Sequence, residues 1–198
     1  EAANQAKSFF SYLYMPDFNI MSHIYDTHYR LQTKVPWGRG NGWVLFSLAE
    51  LLEVMPSHHR EREDILRIYR LLSEGYAKVQ DEEGMWHQVL TVPESYREAS
   101  CTAMFVYGFA KGVRRGWLTD REKYRSAAEK GWKALCDTVI DWKGNIYGVC
   151  RGSGYSFSKE YYGKELSWNF NDTHGTGIVM LAGMEVEKMI NGREEVKK

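Results

Sequence analysis

The feature that most constrains this chain is a weak internal repeat of one-faced helices at an offset of about 60 residues. Between Ser57 and Gln80, Ile65, Ile68, Leu72, Tyr76 and Val79 recur at helical spacing, with Glu61, Arg62, Glu63, Asp64, Arg67, Arg70, Glu74 and Lys78 between them. That pattern predicts a helix burying a single stripe. Between Thr119 and Val139 a capping-box pattern, Thr119-Asp120-Arg121-Glu122, opens a second helix with Tyr124, Ala128, Trp132, Cys136 and Val139 on its stripe. Ile68 aligns with Ala128, Leu72 with Trp132, Tyr76 with Cys136 and Val79 with Val139. Each copy runs into a similar tail, Asp81 to Trp86 and Asp141 to Ile146.

Segments of another type alternate with these: Gly42 to Met55, Arg97 to Val113 and Thr173 to Ile190, small and apolar over most of their circumference. A helix apolar nearly all round is buried on most sides. Ala2 to Tyr14 reads as a further outer helix. Alternation of buried and one-faced helices, one pair per ~60 residues, is what two concentric rings require, and six pairs would take ~360 residues. The 198 residues therefore correspond to about half a ring. The choices are a fragment of a longer chain, an open half-barrel, or a barrel completed by a partner, and the fragment is the expected one, because half a ring exposes a long apolar flank.

Composition removes several function classes. Lys and Arg total 26 against 26 Asp and Glu, so the basic surface that displaces counterions from nucleic acid is not expected. No apolar run approaches the ~20 residues of a membrane span. Three cysteines, Cys101, Cys136 and Cys150, without a CxxC, read as buried free thiols rather than a disulfide framework or zinc ribbon. The chain opens Glu1-Ala2-Ala3 without Met, so an upstream segment is expected to have been removed or left out, and export stays open. Aromatic residues make up 14%, a hint of platforms for sugar rings.

Ahead of each apolar segment lies a polar-aromatic stretch: Trp37-Gly38-Arg39-Gly40-Asn41-Gly42-Trp43, Ser95-Tyr96-Arg97-Glu98-Ala99-Ser100, and Trp168 through Gly177 with Asp172-Thr173-His174 inside it. Read as loops before parallel inner helices, all three open on one end of the ring and bring Trp37, Arg39, Trp43, Tyr96 and Trp168 to a shared cleft. A guanidinium can fork onto a carboxylate and an indole can stack on a sugar, and one helical turn separates Arg39 from Trp43. The plainer alternative makes Trp43 a core ring and Arg39 a cap-region salt bridge.

The Trp-Gly-Arg-Gly-Asn-Gly-Trp motif, the later Tyr-Arg-Glu-Ala-Ser and the terminal His-Gly-Thr-Gly resemble the unsaturated rhamnogalacturonyl hydrolases, glycoside hydrolase family 105, relatives of the unsaturated glucuronyl hydrolases. The resemblance covers nearly the whole chain. It implies an all-α (α/α)6 six-hairpin barrel, of which residues 1–198 form a single domain, the C-terminal part, with roughly three helical hairpins. It implies a glycoside hydrolase of pectin degradation that removes a 4,5-unsaturated uronic acid from oligosaccharide ends by hydrating the vinyl ether, without metal or other cofactor. Arg39 and Trp43 fall on the family's substrate contacts, with Trp37 beside them, and His23-Ile24-Tyr25-Asp26 matches a His-x-Trp-Asp context with Tyr for Trp. The family's acid/base Asp precedes the segment resembling Glu1 to Tyr14 and has no counterpart here, so this chain alone is expected to be inactive.

Other candidates carry simpler explanations. Glu98, three residues after Ser95, fits a capping box, or a buried group behind the site by resemblance. Asp172 and His174 form a possible acid/base pair, or an N-cap and its loop neighbour. With Asp26 these are the alternative proton donors should the chain turn over substrate. His87 beside Trp86 reads as structural, and His58-His59 as the solvated opening of an outer helix. No HExxH, P-loop or GxSxG occurs. A non-catalytic helical-repeat scaffold binding glycan or protein is the competing reading. The expected partner is an oligosaccharide with an unsaturated uronic acid end, with homo-oligomerisation or association with the missing half-barrel as options. The expected compartment is cytoplasmic, with the periplasm as alternative.

Overall fold

The computed structural model describes residues 1–192, and these form six α-helices. They are α1 (Ala2–Leu13), α2 (Gly38–Val54), α3 (Arg62–Lys78), α4 (Ala99–Arg114), α5 (Arg121–Thr138) and α6 (Thr173–Ile190). They alternate between two layers: α2, α4 and α6 stand in a row, α3 and α5 back them, and α1 lies against α3 and α2.

The row is parallel, because Gly38, Gly42 and Leu45 of α2 meet Cys101, Met104 and Gly108 of α4 in ascending order. The approach is close enough to require glycine: a Cβ on Gly42 would sit 2.6 Å from the Met104 sulfur, and one on Gly108 would sit 2.5 Å from Leu45. At the far end Arg114 of α4 and Glu185 of α6 form an ion pair at 2.6 Å, and Tyr107 and Lys111 of α4 both reach Glu50 of α2.

Every residue of α4 from Ala99 to Val113 is buried, which makes this helix the core of the described structure. Phe105 packs against Tyr76 at 4.5 Å and Trp86 at 5.2 Å between ring centroids. Truncation of such a ring costs roughly 3–5 kcal/mol. The expectation of burial on most sides is met by α4 alone. On α2 and α6 one face stays open, with Trp43, Met180, Leu181 and Met184 exposed, because these helices end the row. Beside α2 this open side forms an apolar groove of about 560 Å³ against α1, lined by Phe9, Phe10, Trp43 and Leu51 among others.

Several boundaries differ from the sequence reading. Asp120, not Thr119, caps α5, accepting the Lys123 N–H at 3.2 Å. The buried side of α5 comprises Tyr124, Ala127, Ala128, Gly131, Ala134 and Leu135, while Cys136 is exposed. Stepping four residues three times from Tyr124 to Cys136 overshoots whole turns by about 120°, so a strict i+4 ladder leaves the buried face. The helix α3 starts at Arg62, which leaves His58 and His59 exposed in the preceding turn.

The repeated tails adopt one turn. Asp81 Oδ1 accepts N–H groups from Glu83 and Met85, and Asp141 Oδ1 accepts them from Lys143 and Asn145. Gly84 at φ +103° and Gly144 at φ +80° occupy the left-handed region that this turn demands.

The remaining structure lies in the connections that lead to the heads of the inner helices. Three antiparallel two-residue pairs occur there: β1 (Tyr14–Met15) with β2 (Ile20–Met21), β3 (Tyr25–Asp26) with β4 (Leu31–Gln32), and β5 (Val149–Cys150) with β6 (Trp168–Asn169). A π-helical turn spans Tyr161–Glu165. No described helix is long and apolar enough to cross a membrane.

Candidate functional site at the head of the inner helices

Backbone hydrogen bonds tie the three heads into one relay. Gly38 N–H donates to the Gln88 carbonyl at 2.8 Å, Gln88 N–H to Tyr96 at 2.8 Å, and Ala99 N–H to Gly148 at 2.9 Å. Next, β5 pairs with β6, four residues ahead of α6. Asn41 fastens this rim from inside, exchanging hydrogen bonds with the Met21 amide at 2.8 Å and the Met21 carbonyl at 2.9 Å. Nothing in the spacing of Asn41 marked it for this work.

The first motif is not a loop. The helix α2 begins at Gly38, so Trp37 sits at the N-cap and Arg39 lies in the first turn. The glycines that read as loop residues serve contact with α4 instead. Arg39 is only 2% exposed: its Nη1 donates to the Cys150 carbonyl, and its guanidinium carbon lies 5.1 Å from the centre of the Trp37 ring. The expected cap-region salt bridge is not what holds it. Its contacts are a carbonyl and an indole, both uncharged, and several of its five donors stay available for an anion.

His23 closes the other side of Trp37, ring to ring at 4.7 Å, and meets Tyr162 edge-on at 5.5 Å. Its Nε2 is 3.0 Å from Ser153 Oγ. Burial pushes its pKa down to about 4, so near neutral pH the ring is an uncharged donor and acceptor. Trp37 and Tyr96 belong to a small buried cluster with Val35, Val89, Cys150 and Tyr162. They form the wall behind the site rather than its surface, which corrects the expectation that Trp37 lines a cleft. The Trp37 indole N–H is buried without a partner among the described residues. Trp43 is 42% exposed and borders the groove beside α1.

Glu98 caps α4 itself, with no capping box from Ser95. Its fully buried carboxylate takes the N–H groups of Ser100 at 3.2 Å and Cys101 at 2.6 Å, the Ser100 hydroxyl, and the Cys150 N–H at 2.9 Å. Cys150 thus joins two buried charges, its amide to Glu98 and its carbonyl to Arg39.

Asp26 lies on β3. Hydrogen bonds from the Tyr155 hydroxyl and the Tyr29 N–H hold its carboxyl below the usual range. Asp172 caps α6: burial alone would raise its pKa, but hydrogen bonds from Asn169 and from the N–H and ring of His174 outweigh it and bring the pKa to about 2. These two carboxylates and Glu98 are held as acceptors, a poor arrangement for delivering a proton. His87 bridges the Ser95 carbonyl and Asp81, a structural role. The structure therefore gathers His23, Trp37 and Arg39 with Cys150, Ser153 and Tyr162, and sets Asp172 and His174 apart at the head of α6. Ser153 and Tyr162 were missed because the stretch around them has no periodicity; the Gly152-Ser153-Gly154 run before a Tyr-rich segment was the available signal.

A double layer of helices with one knitted, aromatic rim is the architecture of barrel-type glycoside hydrolases. A Salmonella enterica structure described as a possible member of glycoside hydrolase family 105 superposes with a TM-score of 0.86 at 26% identity, over 96% of this chain and 49% of its own. Residues 1–190 match Glycosyl Hydrolase Family 88, and the chain belongs to that family. An unsaturated 3S-rhamnoglycuronyl hydrolase of Formosa agariphila is 34% identical over 163 residues, covering 79% of this chain and 40% of the relative. An unsaturated rhamnogalacturonyl hydrolase of Bacillus subtilis is 25% identical, covering 83% of this chain and 45% of the relative. The chain thus spans less than half the length of these relatives.

Proposed function

We propose that residues 1–198 are the C-terminal, uronate-holding part of an (α/α)6 hydrolase that removes 4,5-unsaturated uronic acid from the ends of rhamnose-containing, pectin-type oligosaccharides. The observation that carries this is Arg39: a buried guanidinium held by a carbonyl and an indole face, with His23 and Ser153 on the far side of the same indole. A uronate carboxylate supplies the missing counter-charge, and the neutral imidazole suits a sugar hydroxyl. Trp43, one turn on, offers an exposed ring to the same ligand or to the segment that closes the groove. The named activities of the relatives support the substrate class.

The reaction is hydration of the vinyl ether. A proton adds to C4 of the unsaturated ring, water adds to C5 and loses a proton, and the resulting hemiketal opens to release the next sugar as an alcohol. Residues of this chain bind and orient. The proton donor belongs to the part of the relatives that this chain does not span. The test is to mix the chain with unsaturated galacturonyl-rhamnose and follow both binding and the ultraviolet band of the double bond. Binding without turnover, lost in Arg39→Ala, is the expected result. Turnover at an enzymatic rate would overturn the placement of the proton donor, and absence of binding would overturn the role of Arg39.

A further inference from the structure

Three aromatic rings outside the uronate pocket stand in the open beside it. Tyr29 is 64% exposed, Tyr155 53% and Phe157 41%. They form one cluster with Phe157 in the middle, its ring centroid 6.3 Å from that of Tyr29 and 5.5 Å from that of Tyr155, both contacts edge-on. Tyr29 comes from the turn between β3 and β4, and the other two from the strap that follows Arg151, so the cluster bridges segments more than a hundred residues apart.

Both segments are fastened. The Tyr155 hydroxyl donates to Asp26, whose other oxygen accepts the Tyr29 N–H at 2.8 Å. Ser153 contacts His23 at 3.0 Å, and Gly154 is held by the Tyr161 hydroxyl at 3.0 Å and the Tyr162 hydroxyl at 3.1 Å. Exposed aromatic surface opposes solubility and is normally buried or used. Rings already held in place lose little freedom when a ligand stacks on them. The cluster also adjoins the pocket: a Cβ on Gly152 would lie 4.0 Å from an Arg39 guanidinium nitrogen, and the three residues from there to Tyr155 span at most ~11 Å. That is the reach of the sugar next to one bound at Arg39.

We infer that Tyr29, Tyr155 and Phe157 form a stacking subsite for a neutral pyranose, best a 6-deoxyhexose, whose methyl group adds apolar surface to the ring face. Its place as the sugar following the uronate rests on the reading of Arg39 given above; the affinity of the rings for a neutral sugar does not.

The test uses methyl α-L-rhamnopyranoside and saturation-transfer NMR on the 198-residue chain. Transfer is expected at the methyl and at one ring face, and to fall about fivefold or more in the double variant Tyr29→Ala with Phe157→Ala, the scale of one or two lost stacking contacts. Phe157→Trp retains the signal. Phe157→Leu, which keeps apolar volume without a ring, decides the matter should the double variant lose its helical circular dichroism. Excess galacturonate leaves the signal in place, because it occupies a different subsite. Undiminished transfer in the ring-deleted variants, displacement by galacturonate, or no transfer from the wild-type chain each overturns the subsite. Failure of the Arg39 reading looks different: galacturonate does not bind, while rhamnoside transfer persists.

Discussion

The amide of Cys150 donates a 2.9 Å hydrogen bond to the carboxylate of Glu98, across 52 residues of sequence. The bond joins the cap of the central helix to the strand whose next carbonyl holds Arg39. Glu98→Ala should therefore destabilise the chain by roughly 3 kcal/mol or more, since it removes a cap and leaves several buried donors unpaired. Glu98→Gln should cost less, because one oxygen still accepts. Urea unfolding curves compare the two, and native-state labelling of Cys150 should rise in parallel.

Arg39→Lys tests whether the fork matters. A lysine can reach the Cys150 carbonyl but presents no bidentate face, so uronate affinity should fall by about 1.5–3 kcal/mol while the fold persists. Calorimetric titration with galacturonate reads the difference. Equal affinities would remove the fork from the account.

The pH dependence of stability should carry the mark of His23. Its pKa is about 4 when folded against 6.5 for an ordinary histidine, so between those values the unfolded chain binds the additional proton. Stability from this group is complete above about pH 6.5 and is lost as the pH falls toward 4. Thermal melts of wild type and His23→Gln across that window should converge at the acid end. Parallel curves would show that the histidine is solvated.

Asp172→Ala should cost about 1 kcal/mol through loss of the α6 cap, the usual scale for an N-cap side chain. Because its folded pKa is near 2 against 3.8, the stability from ionised Asp172 is complete above about pH 3.8 and lost as pH falls through 2. Denaturant midpoints at pH 7 and pH 2 should therefore separate the variants only at the higher pH.

The open faces of α2 and α6 predict association of the isolated chain. Phe9, Trp43, Met180 and Met184 are exposed at the two ends of the inner row. Sedimentation should show concentration-dependent self-association that Met184→Asp with Phe9→Asp relieves. A monomer at all concentrations would mean that these faces are tolerated in water.

The sequence by itself determined the helices and their two kinds. Hydrophobic spacing is local, so the one-faced stripe of α3 and the bounds of α6 could be read from it, and the repeated Asp-x-x-Gly turns at Asp81 and Asp141 carry their own backbone chemistry. It also marked Arg39, Trp37 and His23 as neighbours of interest, by resemblance rather than by spacing. Tertiary structure decided what those residues touch. That Trp37 backs the site while Trp43 faces outward follows from which side of α2 meets α4, a matter of glycine contacts at Gly38 and Gly42. That Glu98 reaches Arg39 through Cys150, and that a strap from residue 151 onward brings Ser153 to His23 and Tyr155 to Asp26, follows from chain segments far apart in sequence. Periodicity encodes the face of a helix, but the partner of a face is fixed only when the layers pack.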